Sequence, residues 1–96
     1  MYELSPKDFL FLYYTKMEGS LKKILFLMKK DILSLDEIIQ MYELKNNMMK
    51  SLDILSLETD SEEFRKSLNF FMKLIISTNN KDIEEAINFC RFFKKE

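Results

Sequence analysis

The chain has 96 residues, of which 47% are hydrophobic and 32% are charged, and its 15 basic and 16 acidic side chains give a formal net charge of −1. This length allows one domain, and this apolar content excludes a chain that stays disordered. With one Gly, one Pro and no Val, the sequence is nearly incompatible with an all-β fold, and its balanced charge gives no general attraction to nucleic acid or to an anionic membrane.

The first predicted helix begins at a proline. Ser5 is the expected N-cap, Pro6 is the first helical residue, and the helix extends to about Lys30. Gly19 and Ser20 do not shift the phase of its apolar residues, so we expect one long helix rather than two short ones. The apolar residues that share one face are Leu10, Tyr13, Tyr14, Met17, Leu21, Ile24 and Met28.

A capping box marks the start of the second helix. Ser34 is followed three residues later by Glu37, so that each side chain can satisfy a backbone amide of the other residue. This helix extends to about Leu55. The residues that we expect it to bury, with two positions left open, are Leu35, Ile38, Met41 or Tyr42, Met48 or Met49, Leu52 and Leu55.

Two shorter helices complete the chain. The third spans Ser61 to Ile76, and the fourth follows the polar segment 77–80 and runs to the C-terminus. Their expected buried residues are Phe64, Leu68, Phe71, Met72 and Ile75, then Ile83, Ala86, Ile87, Cys90 and Phe93. The sequence therefore predicts an all-α fold: one domain over residues 1–96, in which two helical hairpins form an antiparallel bundle of about four helices with a long first helix.

The residue types present do not favour an enzyme. Without His, the chain lacks the most common general base and transition-metal ligand, and a single Gly cannot form a glycine-rich phosphate loop. Cys90 lies at the spacing of buried residues, which favours a packed thiol over a nucleophile. We expect no enzymatic activity, cofactor or metal. Because the N-terminus does not resemble a signal peptide and no apolar run could span a bilayer, we expect a cytoplasmic protein.

One segment raises the alternative of nucleic-acid binding. Residues 36–47 loosely resemble the start of a helix-turn-helix motif, but Glu43 stands where the turn favours Gly. The would-be recognition helix offers only Lys50 and two Asn. The alternative function is thus a nucleic-acid-associated regulator that uses the lysines of the first helix, and it predicts a gel shift whose affinity falls steeply as salt rises.

The first helix also carries a second stripe, made of Leu12, Gly19 and Phe26, far around the helix from its main apolar face. Lysines border it: Lys16, Lys23 and Lys30 on one side, and Lys22 and Lys29 on the other. An apolar stripe with a Gly and cationic edges is suited to an amphipathic partner helix with acidic edges. The other interpretation is that the first helix lies centrally in its own bundle, where the second and fourth helices cover the stripe.

Aromatic residues on the fourth helix extend this hypothesis. Phe89, Phe92 and Phe93 cannot all share the face of Ile83, so at least one of them is expected to be exposed. We therefore add Phe89 and Phe92 to the partner-binding candidates. Exposed apolar surface on a small protein commonly indicates association, so we expect either a protein partner or a homo-oligomer, most simply a dimer.

Parts of the last three helices resemble the flagellar export chaperones. The similar segments are Met48-Met49-Lys50-Ser51-Leu52, Ser67-Leu68-Asn69-Phe70-Phe71-Met72 and Asn80-Lys81-Asp82-Ile83-Glu84-Glu85-Ala86. The resemblance implies a non-enzymatic chaperone or adaptor that masks an aggregation-prone helix of a secreted filament or cap subunit. It implies no particular binding residue, so the candidate site depends on the second stripe alone.

Overall fold

The fold is all-α. The computed structural model describes the backbone of residues 6–95 and the side chains of residues 12–92. This part of the chain forms four helices and no strand: α1 (Pro6–Met28), α2 (Leu35–Glu58), α3 (Glu62–Ile76) and α4 (Asn80–Lys95). The predicted fold class is confirmed, and α1 continues through Gly19 as one helix. The expected cap Ser5 lies outside the described residues.

Contacts between helices show that neighbours run antiparallel. Just after the end of α1, Lys29 contacts Glu84 near the start of α4, whereas Glu18, within α1, contacts Arg91 later in α4. The most extensive helix contact is that between α1 and α4, so the two hairpins close into a four-helix ring. The same reversed order holds between α2 and α3: Lys45, in the first half of α2, contacts Ser77 at the end of α3, and Ser56, late in α2, contacts Arg65 early in α3. Phe71 of α3 contacts Phe89 of α4.

The turn between α1 and α2 is held by the predicted capping box and one lysine. The Ser34 hydroxyl accepts a hydrogen bond from the Glu37 amide at 3.1 Å, and the Glu37 carboxylate accepts one from the Ser34 amide at 3.0 Å. Lys30 pairs with the same carboxylate. The amides of Lys29 and Lys30 still bond back to Leu25 and Leu27, although α1 itself ends at Met28 rather than Lys30.

Glu37 is expected to titrate far below an ordinary glutamate. The ammonium of Lys30 and the amide of Ser34 lower the pKa of Glu37 from 4.5 to about 2. Because the folded-state pKa lies below the unfolded one, this carboxylate stabilises the fold above pH 4.5, and that contribution is lost as the pH falls through about 2.

Carbon-detected NMR titration of the Glu37 carboxyl tests this expectation. In the Lys30→Gln variant the midpoint should move upward toward 4.5, because the hydrogen bond from the Lys30 ammonium, the main cause of the lowered pKa, is gone. A midpoint near 4.5 in the wild-type chain would contradict the described turn.

The core lies on the faces that the apolar spacing predicts. Cys90 is a fully buried thiol, as expected, and burial raises the pKa of Tyr14 to about 12, so its hydroxyl stays protonated at neutral pH. The side chains of Leu10 and Phe93 lie outside the described residues. Leu27 and Leu74 are buried although the predicted faces omit them. The fully or almost fully buried residues are Tyr14, Met17, Leu21, Ile24, Leu27, Met48, Leu52, Leu68, Phe71, Leu74, Ile75, Ile83, Ala86, Ile87 and Cys90.

The prediction for Leu35 was wrong, since 73% of this side chain is exposed. It is the first residue of α2, directly after the cap, and there the helix has not yet reached the core. Of the two open choices, Met41 packs against the core while Tyr42 is exposed, and Met48 is buried while Met49 packs at the edge. α2 continues past the expected end at Leu55 to Glu58. No helix within the described residues is long and apolar enough to cross a membrane.

Candidate partner-binding surface

The second stripe of α1 lies on the surface of the bundle. Leu12 is 52% exposed, Phe26 is 65% exposed, and Gly19 between them is also exposed. α2 and α4 both pack against α1, and the exposure of these residues means that neither helix covers them. An exposed Leu and Phe in a row on one helix form an apolar surface that the fold itself leaves in water.

Gly19 has no structural role within the bundle. A Cβ atom placed on it would meet nothing within 4 Å, and its φ is not positive. Neither crowding nor backbone conformation therefore requires Gly at this position. Gly in a helix interior destabilises a protein by about 0.5–1 kcal/mol relative to Ala. The residue weakens the isolated fold and leaves room for a second backbone to approach.

Replacing Gly19 with alanine is expected to stabilise the isolated protein. The methyl group enters open space and the unfolded chain loses flexibility, so the free energy of unfolding should rise by about 0.5–1 kcal/mol. Urea denaturation followed by circular dichroism measures this change. An equal or lower midpoint in Gly19→Ala would mean that Gly19 has a role within the fold.

Ion pairs divide the five lysines that border the second stripe into two groups. Lys22 lies 3.4 Å from Glu18, Lys29 lies 3.7 Å from Glu84, and Lys30 pairs with Glu37 and lies over the ring of Phe26 at 5.3 Å. In contrast, Lys16 and Lys23 are exposed and pair with no acid that the structure describes. The uncompensated positive charge beside the second stripe therefore belongs to Lys16 and Lys23.

A buried acid on α1 holds this helix against α4. Glu18 is 7% exposed, and its carboxylate accepts a hydrogen bond from the Arg91 guanidinium at 3.1 Å while pairing with Lys22. The side chains of Lys22 and Arg91 are both about half exposed. Their positive charges therefore remain partly hydrated while they compensate the negative charge of a carboxylate that is buried away from water. Glu18 was not among the residues that the sequence singled out. Its position next to the buried face of α1 was the available signal.

The two phenylalanines proposed on α4 have different surroundings. Phe89 packs against the core, where its ring stacks on Phe71 at 4.7 Å between ring centres and meets Tyr14 edge-on at 6.5 Å. It is therefore half-buried rather than exposed, which corrects its place among the surface candidates. Phe92 is 59% exposed, and Phe70 on α3 is also exposed. The structure places Leu12, Lys16, Gly19, Lys23 and Phe26 on α1, Lys30 just beyond its end, and Phe92 on α4.

α2 carries an exposed apolar row that sequence analysis missed. Leu35, Ile39 and Tyr42 are all exposed, at the i, i+4, i+7 spacing that places residues on one side of a helix. The same spacing is visible in the sequence, but the search for a core face assigned Leu35 to the interior. Unlike the second stripe, this row lacks a Gly and a border of lysines.

The helix-turn-helix interpretation of residues 36–47 does not fit the fold. α2 is continuous from Leu35 to Glu58, so no turn occurs near Glu43. Three of the lysines on which the nucleic-acid alternative depends are paired with acids of the chain itself. Among the described side chains, no group of three His, Cys, Asp or Glu residues is arranged to hold a metal ion.

Comparison with known proteins adds no functional information: no family model, curated protein or solved structure matches the chain. The candidate surface is therefore argued from the geometry and charge of this bundle alone.

Proposed function

We propose that this protein is a non-enzymatic binding module whose second stripe receives an amphipathic helix of another protein. The observation that carries the proposal is Gly19, which lies in open space midway between two exposed apolar side chains. Leu12 and Phe26 would pack on the apolar face of the partner, and Gly19 would let the two helix backbones approach closely. Burial of these two side chains supplies the main driving force.

The charges favour a foreign partner with acidic edges over a second copy of this chain. Lys16 and Lys23, beside the stripe, form no ion pair with any acid among the described residues. If two copies met stripe to stripe, each would place these lysines near the same lysines of the other, and the like charges would repel. A helix with Asp or Glu beside its apolar face would instead pair with them. Association of this kind should weaken as salt rises.

A chaperone or adaptor is the form of this function that the resemblance to flagellar export chaperones implies. In that role a cytoplasmic protein would cover an apolar helix of its client before export. A compact bundle whose first helix exposes an apolar stripe is compatible with such a task, because the client helix would bury the stripe without unfolding the bundle.

Purification of the tagged protein from its own host tests the proposal. We expect one foreign protein in a fixed stoichiometry, measured by light scattering of the eluted complex, and release of that protein at high salt. The Gly19→Leu variant should lose it, because a large side chain there blocks close approach while its own fold has room for one.

Asn69→Leu is the matched control, since it places the same side chain at an exposed position of α3. This variant should retain the partner. If Gly19→Leu also retains it, or if the wild-type protein elutes only as a defined homo-oligomer, the proposal fails. Circular dichroism of both variants should match the wild type, which separates loss of binding from loss of fold.

A further inference from the structure

A cleft of about 410 Å³ lies between α1 and α2, on a different side of α1 from the second stripe. Small polar residues face each other across it: Ser20 on α1 and Ser51 on α2, both half-buried. A packed bundle ordinarily places larger apolar residues between helices, and here the smaller side chains leave space unfilled. The contact between α1 and α2 is also the least extensive of the four main helix contacts.

The walls of this cleft favour a negatively charged ligand. Lys16 from α1 and Lys50 from α2 both line it, and neither forms an ion pair with an acid in the described part of the chain. Among the described residues that line the cleft there is no Asp or Glu. Two cations without a counter-charge, on two different helices, form a site for a single anionic head group between them.

The floor of the cleft favours an apolar body attached to that head group. It includes the side chains of Met17 and Met48, which are almost completely buried, and of Leu44, which packs against the core. Methionine side chains adapt to irregular apolar ligands because they are unbranched and polarizable. The volume of the cleft lies in the range of pockets that hold small organic molecules.

We infer that the α1–α2 cleft binds a small amphipathic anion, with its carboxylate between Lys16 and Lys50 and its short apolar body on the two methionines. The hydroxyl of Ser20 would donate a further hydrogen bond to the head group. This inference does not depend on the proposed function, although Lys16 borders both the cleft and the second stripe.

NMR of the protein carrying labelled methionine methyl groups tests the inference, with octanoate as the probe. The methyl signals of Met17 and Met48 should shift on titration. Those of Met28, near the end of α1, and Met72, on α3, should shift much less, because neither lines the cleft. Octanol, which has the same body without the charge, should bind at least about threefold more weakly, since it lacks the charge-assisted contacts.

Variants at exposed lysines assign the binding site. Lys50→Gln should weaken octanoate binding about three- to tenfold, as expected for loss of one partly solvated charge contact. Lys66→Gln, at an exposed lysine of α3, should leave the affinity unchanged. Equal shifts at all methionines, equal affinity for octanol, or unchanged binding in Lys50→Gln would each overturn the inference.

The same variants keep this inference separable from the proposed function. Lys23 borders the second stripe but does not line the cleft, and Lys50 lines the cleft but lies on α2. Lys23→Gln should therefore weaken the protein partner and spare octanoate, whereas Lys50→Gln should do the reverse.

Discussion

Replacing Phe71 with alanine is expected to destabilise the protein by about 3–5 kcal/mol, a large share of the roughly 5–15 kcal/mol typical of a domain. The Phe71 side chain is fully buried on α3, and its ring stacks on Phe89 of α4 at 4.7 Å. Its removal leaves a cavity at the centre of the bundle and breaks the aromatic contact between α3 and α4. Urea denaturation followed by circular dichroism measures the loss.

The neighbouring residue provides the control for this substitution. Phe70→Ala removes the same group from a side chain that is 48% exposed, and it should reduce the free energy of unfolding by less than about 1 kcal/mol. Similar decreases in the free energy of unfolding for both variants would contradict the burial of Phe71 and the exposure of Phe70 on α3.

Replacing Phe26 with lysine is expected to reduce partner affinity by about a hundredfold or more. An aromatic residue that anchors an interface commonly contributes about 2 kcal/mol or more to binding, and the new charge would also meet the apolar face of the partner. The isolated protein should keep its helicity, because Phe26 is 65% exposed and its contact with Lys30 is a surface contact. Titration of the purified partner, once it is identified, measures the affinity.

Phe70→Lys is the matched control for this variant. It makes the same change at an exposed phenylalanine on α3, away from the second stripe. We expect its affinity for the partner to equal that of the wild type. Unfolding of Phe26→Lys would show instead that the second stripe belongs to the core. An equal loss of partner affinity in both variants would contradict the assignment of the binding site to the second stripe.

Most of the fold could be predicted from the sequence because the apolar residues on the buried face of each helix recur at intervals of three or four residues. The strong repeat of α3, from Phe64 to Ile75, placed every expected residue in or against the core. Capping signals were equally informative, since Ser34 and Glu37 form the predicted box. The error at Leu35 arose because periodicity continues to the end of a helix, whereas burial stops where the neighbouring helices stop.

The candidate surface was less accessible to sequence analysis. Spacing placed Leu12, Gly19 and Phe26 together, but spacing alone could not decide whether α2 and α4 cover them. Phe89 was misassigned because it lies at the border of the buried face of α4. The burial of such a residue depends on which side chain of the neighbouring helix lies beside it, and here the ring of Phe71 stacks on it. Likewise, the count of lysines overstated the free charge, since three of them meet acids that lie close only in the folded chain.

The most direct test of the central claim is a map of where the partner touches the bundle. A photo-reactive benzoylphenylalanine is placed, one position at a time, at Lys23 beside the second stripe, at Lys66 on α3 and at Ile39 on the exposed row of α2, and the protein is cross-linked in its host. The account predicts a cross-link to one foreign protein from position 23 and none from positions 66 and 39. Cross-links from position 39 or 66 but not from 23, or a product that contains only this chain, would contradict it.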